Sequence, residues 1–318
     1  MRRPVHGVLL LDKPLGLSSN DALQKCKWLL RAEKAGHTGT LDPLATGVLP
    51  LCFGAATKFS QLQLDADKTY EAVARLGVKT STGDAEGAVI EERAVGEITS
   101  VQLAEMTRRF TGPLRQLPPM YSALKKDGRA LYEYARAGEE VERALRDVVV
   151  YALELTLVTH EEAPALRIRA KVSKGTYIRT LGEDIGEALG CGAHLVALRR
   201  VATGQFTLAD CVDLDAFQAM DEAARLACLR PAQTLLPDHV PVTLPADDAA
   251  RFLSGLRRRG AWPDQPQIAV YGPPPGPADG APALLGTAHS RAGELIPGRL
   301  LSPLEIQQIL SSPEAHIP

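Results

Sequence analysis

Twelve residues, Gly36 to Gly47, constrain this chain more than any other stretch. Gly36, Gly39 and Gly47 bracket a segment with a single carboxylate, Asp42, which is followed directly by Pro43. Glycine reaches backbone conformations closed to other residues, and proline disfavours the right-handed helical region for the residue before it. The segment therefore reads as a loop beside a sheet, presenting one fixed Asp. Glycines at this density also let backbone amides approach a ligand closely, as phosphate loops do. The Gly-Lys-Ser/Thr ending of a nucleotide loop is absent, so an NTP site does not fit.

The surrounding pattern alternates strand and helix signals. His6 to Leu11 is an apolar run that ends at Asp12-Lys13-Pro14. Ser18-Ser19-Asn20 then supplies N-cap chemistry for a helix with Ala22, Leu23, Cys26, Leu29 and Leu30 on one face. From Tyr70 to Leu76 the even-numbered residues share a strand face opposite Glu71 and Arg75. Val148 to Val158 and Leu166 to Val172 are further strands, the second setting Leu166, Ile168, Ala170 and Val172 opposite Arg167, Arg169 and Lys171. Ser173 to Tyr177 turns into a helix with Ile178, Leu181, Ile185 and Leu189 at helical spacing, stopped by Gly190, and His194 to Val201 reads as another strand. Strands far apart in sequence, separated by helices and long connections, predict an α+β fold on a mixed or antiparallel sheet.

Composition narrows the class. A chain of 318 residues with 45% hydrophobic content predicts one large core and a smaller one. Pro becomes frequent past about residue 236, and Tyr271 to Pro277 is too rich in Pro and Gly for a strand or helix, which places a domain boundary near Leu235–Pro241. A net charge of -2 means that any nucleic-acid site is a local patch and not a property of the whole surface. Residues 1–35 do concentrate cations, with seven Lys and Arg against three acids. The five cysteines are odd in number, widely spaced and without Cys-x-x-Cys, fitting neither a disulfide framework nor a zinc site and suiting a reducing cytoplasm. No apolar stretch approaches the ~20 residues that span a bilayer, and no secretory signal is recognisable.

The full string Gly-His-Thr-Gly-Thr-Leu-Asp-Pro-Leu-Ala-Thr-Gly at 36–47 resembles the signature of the TruB family of tRNA pseudouridine synthases. Gly7 to Pro14, Ala56-Thr57-Lys58, Met120 to Lys125 and Ser173 to Arg179 also resemble family segments, so the likeness covers roughly residues 6–235. It implies an isomerase, a tRNA pseudouridine(55) synthase, that cleaves the N1–C1′ bond of a T-arm uridine, turns the uracil and rejoins it through C5, with no cofactor and no metal. It implies a catalytic domain over 1–235, a thumb-like RNA-binding insertion at 118–146, and a small, mostly β, PUA-like RNA-binding domain over 236–318. The insertion has nearly balanced charge, six basic residues against five acidic, which suits a contact surface tuned by shape as well as charge.

Residue by residue, the resemblance makes Asp42 the essential carboxylate and Arg179 the cation that keeps it ionised in a dry site. Tyr70 is implied to stack on the flipped uracil, Tyr177 and Leu198 to line its pocket, and His37 to fill the gap that the base leaves. Without the resemblance, His37 reads as a satisfied loop histidine and Leu198 as ordinary core. Lys13, Lys58, Lys125, Lys126 and Lys174 fall in family-like segments where cations would contact phosphates. The implied partner is the tRNA T arm, with no membrane, no obligatory protein partner and a monomeric state. Archaeal and eukaryotic relatives of dyskerin share the core signature but carry longer tails, which favours the stand-alone bacterial type. A non-catalytic tRNA-binding or folding factor on the same scaffold would tolerate loss of Asp42, Tyr70 or Arg179, and all three are present. A glycoside hydrolase would need two carboxylates, and the signature loop holds one.

Overall fold

The computed structural model of the protein describes residues 2–275 and 281–311. The chain opens with β1 (Gly7–Lys13), α1 (Ser19–Leu29), β2 (Ala35–His37), β3 (Ala45–Phe53) and β4 (Lys68–Leu76). Next come the short pair β5 (Val78–Thr80) and β6 (Val89–Glu92), α2 (Ser100–Arg109) and β7 (Gly112–Gln116). An insertion holding β8 (Lys125–Lys126), β9 (Arg129–Ala130) and α3 (Leu131–Arg136) leads into the long hairpin of β10 (Arg146–His160) and β11 (Ala163–Val172). Then follow α4 (Ile178–Ala188), β12 (Ala193–Thr203), β13 (Phe206–Thr207), β14 (Val212–Asp213), α5 (Leu214–Ala219) and α6 (Glu222–Ala227).

These strands form one ten-stranded sheet in the order β14-β1-β3-β12-β4-β11-β10-β7, with β2 on β3 and β13 on β12. The β1–β14 and β3–β12 pairs are parallel and the others antiparallel, so the sheet is mixed. Strand β1 shows why its sequence is an unbroken apolar run. Leu9 and Leu11 enter a core beneath α1, α4 and α5, while Val8 and Leu10 enter a second core on the other side. A strand buried on both faces has no polar alternation to display. In β11 only one face is covered: Leu166, Ile168, Ala170 and Val172 are buried while Arg167, Arg169 and Lys171 are exposed, matching the expected alternation. Helix α1 begins where Ser18 and Asp21 form a reciprocal capping box, an arrangement that stabilises a helix start by about 1 kcal/mol.

A second, five-stranded sheet follows, made of β15 (Val240–Thr243), β16 (Arg258–Arg259), β17 (Gln265–Gly272), β18 (Ala283–Arg291) and β19 (Glu294–Leu300), with α7 (Ala246–Leu253) and α8 (Pro303–Leu310) packed beside it. It does not hang free. Leu244, Phe252 and Leu285 from this part join Val8, Leu10, Val48, Cys52 and Phe59 from the first sheet in one apolar cluster. Lys58 reinforces the junction by donating to the Glu305 carboxylate at 2.6 Å and the Leu300 carbonyl at 2.8 Å.

Two sequence expectations need correction here. The strand expected from Tyr70 starts two residues earlier, at Lys68, because backbone pairing with Val172 and Thr203 carries the ladder past the tyrosine. Tyr271 and Gly272, expected to lie outside regular structure, complete β17. Gly272 fits there because a Cβ would sit 2.9 Å from the Ala249 Cβ, so the strand and α7 meet only across a glycine. Residues 276–280 of the Pro-rich stretch lie outside the described residues.

Strand β3 approaches β12 most closely at Gly47, whose φ is +105° and whose missing Cβ would lie 2.1 Å from the Arg200 carbonyl oxygen. Gly47→Ala is therefore expected to destabilise the protein by more than about 2 kcal/mol, as overpacking combines with backbone strain. Chemical denaturation of the two proteins checks this; equal midpoints would contradict the close approach.

Candidate active site

The signature segment spans the connection between β2 and β3, and much of its backbone is held. Arg200 Nη1 donates to the Thr40 carbonyl at 3.2 Å. Ser19 Oγ donates to the Leu41 carbonyl at 3.1 Å and accepts from the Leu41 amide at 2.7 Å. The Asp42 carbonyl accepts from Ala45 N at 3.0 Å, closing a turn with Pro43 in its second position, and the Pro43 carbonyl accepts from Gly16 N at 2.9 Å. Four consecutive carbonyls are thus occupied, and the Asp42 side chain projects from a rigid backbone.

That side chain lines a cavity of about 220 Å³ shared with Tyr70, Tyr177, Arg179, Leu198 and Arg200. Tyr70 stands on β4 opposite Arg200 of β12, so neighbouring strands bring these two side chains to the cavity wall. Tyr177 caps α4, and its backbone is gripped at both ends by Gln116, whose carboxamide accepts from the Tyr177 amide at 3.0 Å and donates to its carbonyl at 3.3 Å. Burial pushes the Tyr177 phenol up, so it is protonated at neutral pH.

Arg179 lies in the first turn of α4, where the helix dipole disfavours a cation, and only 6% of its side chain is exposed. Its partners explain why it can be there. Arg179 Nη2 lies 2.9 Å from Asp42 Oδ2, and Nη1 lies 3.2 Å from Asp84 Oδ2. The Thr82 and Tyr121 carbonyls accept from the same guanidinium at 3.1 and 2.7 Å. Asp84 is itself fixed, because its other oxygen accepts from Thr82 Oγ1 at 2.5 Å and from the Glu86 amide at 3.1 Å. Asp42 differs from Asp84 in keeping 43% of its side chain open, against 2%. One carboxylate is structural and the other remains available.

Burial raises the Asp42 pKa above its ordinary value; Arg179 opposes that rise, Asp84 adds to it, and Lys13 also opposes it. Lys13 departs from its expected role at a phosphate. It is fully buried, its ammonium donates to the Pro14 and Leu17 carbonyls at 2.9 and 2.6 Å, and burial brings its pKa down to about 8. Lys58 likewise serves the junction with the second sheet. Lys125 is exposed, Lys126 donates to the Glu142 carbonyl at 3.0 Å, and Lys174 pairs with Asp65 at 2.7 Å on the surface.

His37 is not part of the cavity wall. It ends β2, half-buried, with Nδ1 enclosed and unpartnered among the described residues. Burial, and then the Arg200 charge, hold its pKa below the ordinary value, so the ring is neutral at neutral pH. Asp84, Arg200, Lys68 and Gln116 are site residues that sequence reasoning passed over. Arg200 left one signal: it shares strand parity with Leu198, so an arginine had to point toward the same interior. Asp84 sits in Thr82-Gly83-Asp84, a turn signal that gives no hint of its partner.

Residues 27–178 match the family model for the TruB family pseudouridylate synthase (N terminal domain), and residues 179–237 match the tRNA pseudouridylate synthase B C-terminal domain. The chain is 67% identical over 314 residues to tRNA pseudouridine synthase B of Verminephrobacter eiseniae, covering 98% of this chain and 93% of that protein. This protein belongs to the TruB family of tRNA pseudouridine synthases. It is also 59% identical to tRNA pseudouridine synthase B of Cupriavidus pinatubonensis, over 94% of this chain and 95% of that one. Among solved structures it resembles a chain of a Cbf5-Nop10-Gar1 complex, with a TM-score of 0.65 and 26% identity, covering 96% of this chain and 81% of that one. A chain of an archaeal box H/ACA sRNP Nop10-Cbf5 complex has a TM-score of 0.67 at 21% identity, a likeness of fold alone. The TruB family isomerises tRNA uridine, and Asp42 is the one carboxylate in the wall of this member's cavity among the described residues.

Removing the Asp84 charge takes a like charge from Asp42 and leaves Arg179 to a single carboxylate. In Asp84→Asn the acid limb of the kcat–pH profile is expected to move to lower pH, since a carboxylate less opposed by negative charge ionises more readily. Plateau kcat is expected to fall by about tenfold or more, on the order of 1.4 kcal/mol of lost positioning. A limb that shifts upward would refute the assigned coupling.

Proposed function

We propose that this protein converts the uridine at position 55 of the tRNA T arm to pseudouridine after extruding it from the T loop. The observation that carries this reading is the Asp42 carboxylate, held by Arg179 on the wall of a cavity between Tyr70, Tyr177 and Leu198. A uridine stacked in a folded loop is inaccessible, and flipping it costs a few kcal/mol that contacts in the pocket and the vacated stack must offset. In this reading the base lies against Tyr70, with Tyr177 and Leu198 excluding water. The neutral ring of His37 fills the gap.

Asp42 acts in its ionised form, either attacking the nucleoside or removing the C2′ proton. After the N1–C1′ bond breaks, the uracil turns, the C5–C1′ bond forms, and C5 gives up its proton as N1 gains one, so the reaction balances without an oxidant or a hydrolytic water. Arg179 keeps the carboxylate charged while base and protein exclude solvent around it. The 118–146 insertion, whose Tyr121 carbonyl accepts from Arg179, closes over the T arm, and exposed Lys125 and Lys174, with half-buried Lys126, approach phosphates. The C-terminal sheet serves as the PUA-like RNA-binding domain of a monomeric, cytoplasmic enzyme that needs no protein partner.

The test is release of the C5 hydrogen from T-arm RNA labelled at C5 of position 55. Stoichiometric release is expected, and absence of release from that position would refute the assignment. Asp42→Asn is expected to bind tRNA within about threefold of the unaltered protein and to lose kcat by more than about a thousandfold. Substantial turnover by that variant would remove Asp42 from its role.

A further inference from the structure

The cations concentrated near the N-terminus find a use away from the catalytic cavity. At the C-terminal end of α1 lies a second cavity of about 450 Å³, lined by Arg2, Gln24, Lys27, Trp28, Arg31 and Arg225 among others, with no carboxylate in its wall. Trp28 is 77% exposed and presents an indole that covers no core. Arg225 forms the fixed side, donating to the carbonyls of Phe217, Gln218 and Leu29. Arg31 approaches Glu222 only at 3.9 Å, while Arg3 takes that carboxylate at 2.8 Å. Arg2 and Lys27 make no ion pair among the described residues.

Backbone strain marks the same place. Arg31 has φ +53°, in the left-handed region that follows a helix end and favours glycine. A non-glycine residue there costs roughly 1 kcal/mol, so the fold holds a guanidinium at this rim in a conformation it would otherwise avoid.

We propose that this cavity is a second RNA-binding subsite, taking one unstacked nucleotide of the substrate tRNA with its base on Trp28 and its phosphate among Arg2, Lys27 and Arg31. A flat aromatic face beside cations, two of them (Arg2 and Lys27) without an ion pair among the described residues, is the combination that holds single nucleotides without reading sequence. The subsite is coupled to the active site through α1, whose other end binds the Leu41 backbone through Ser19. Nine residues of helix separate Ser19 from Trp28, a rise of about 14 Å, so the nucleotide bound there is not the flipped uridine. The inference rests on tRNA being the substrate and adds a contact beyond the target base.

The experiment uses the full chain. Trp28 and Trp262 are the two tryptophans, and Trp262→Phe leaves Trp28 as the sole indole. Titration with full-length tRNA is expected to quench its fluorescence. Trp28→Ala is expected to raise Kd for tRNA about fivefold or more, and Arg2→Ala with Lys27→Ala to lower the salt slope of log Kd by about one per lost phosphate contact. Unquenched Trp28, or a Trp28→Ala affinity within twofold, would overturn the subsite. So would an indole shift that follows protein concentration without RNA, which marks a protein contact instead. Turnover of a T-arm hairpin by the unaltered protein, run in parallel, reports on the proposed reaction independently of the subsite.

Discussion

The guanidinium of Arg179 between Asp42 and Asp84 is the interaction on which the rest of the site depends. Neither carboxylate alone would suffice. A buried cation in the first turn of a helix needs compensation from several directions, and here two carboxylates and two carbonyls provide it. The arrangement joins four distant parts of the chain: the loop between β2 and β3, the turn at Thr82–Asp84, the insertion at Tyr121 and the start of α4. It also divides labour between like groups, leaving buried Asp84 to hold the arginine and Asp42 to face the cavity.

Rigidity of the Asp42 loop follows from a different set of bonds. Arg200, Ser19, Ala45 and Gly16 occupy four successive carbonyls, so the loop behaves as part of the sheet despite its glycines. Of its glycines, Gly47 serves closeness: there the chain passes Arg200 at a distance that no side chain permits. Charge is balanced across the same region. Lys13 sits fully buried near Asp42, opposing the effect of burial on its ionisation, and so favours the charged carboxylate without touching solvent.

Both faces of the first sheet are covered where β1 and β3 lie, one by helices and the other by the C-terminal sheet. The shared apolar cluster and the Lys58–Glu305 pair make the second sheet a structural support for the strands that carry the active-site loop. Toward β11 one face is open and carries Arg167, Arg169 and Lys171, and this is where alternation is visible in the sequence.

Much of this was legible in the residues alone. The helix beginning at Ser18, the strand face of Leu166 to Val172, the helix stopped by Gly190 and the Asp fixed before Pro43 all follow from local rules of capping, alternation and backbone restriction, which act over a few residues. The family resemblance named Asp42, Tyr70, Tyr177, Arg179 and Leu198, and all five line one cavity. What the sequence could not express was partnership at long range. Asp84 is an ordinary turn residue until α4 brings Arg179 to it across 95 positions. Lys13 and Lys58 look like surface cations until tertiary packing buries one and commits the other to the second sheet. The sequence by itself determined the local conformations and the placing of one Asp on a fixed turn before Pro43. Only the tertiary structure decided which charges meet, because burial and ion pairing depend on distances in space that no local pattern encodes.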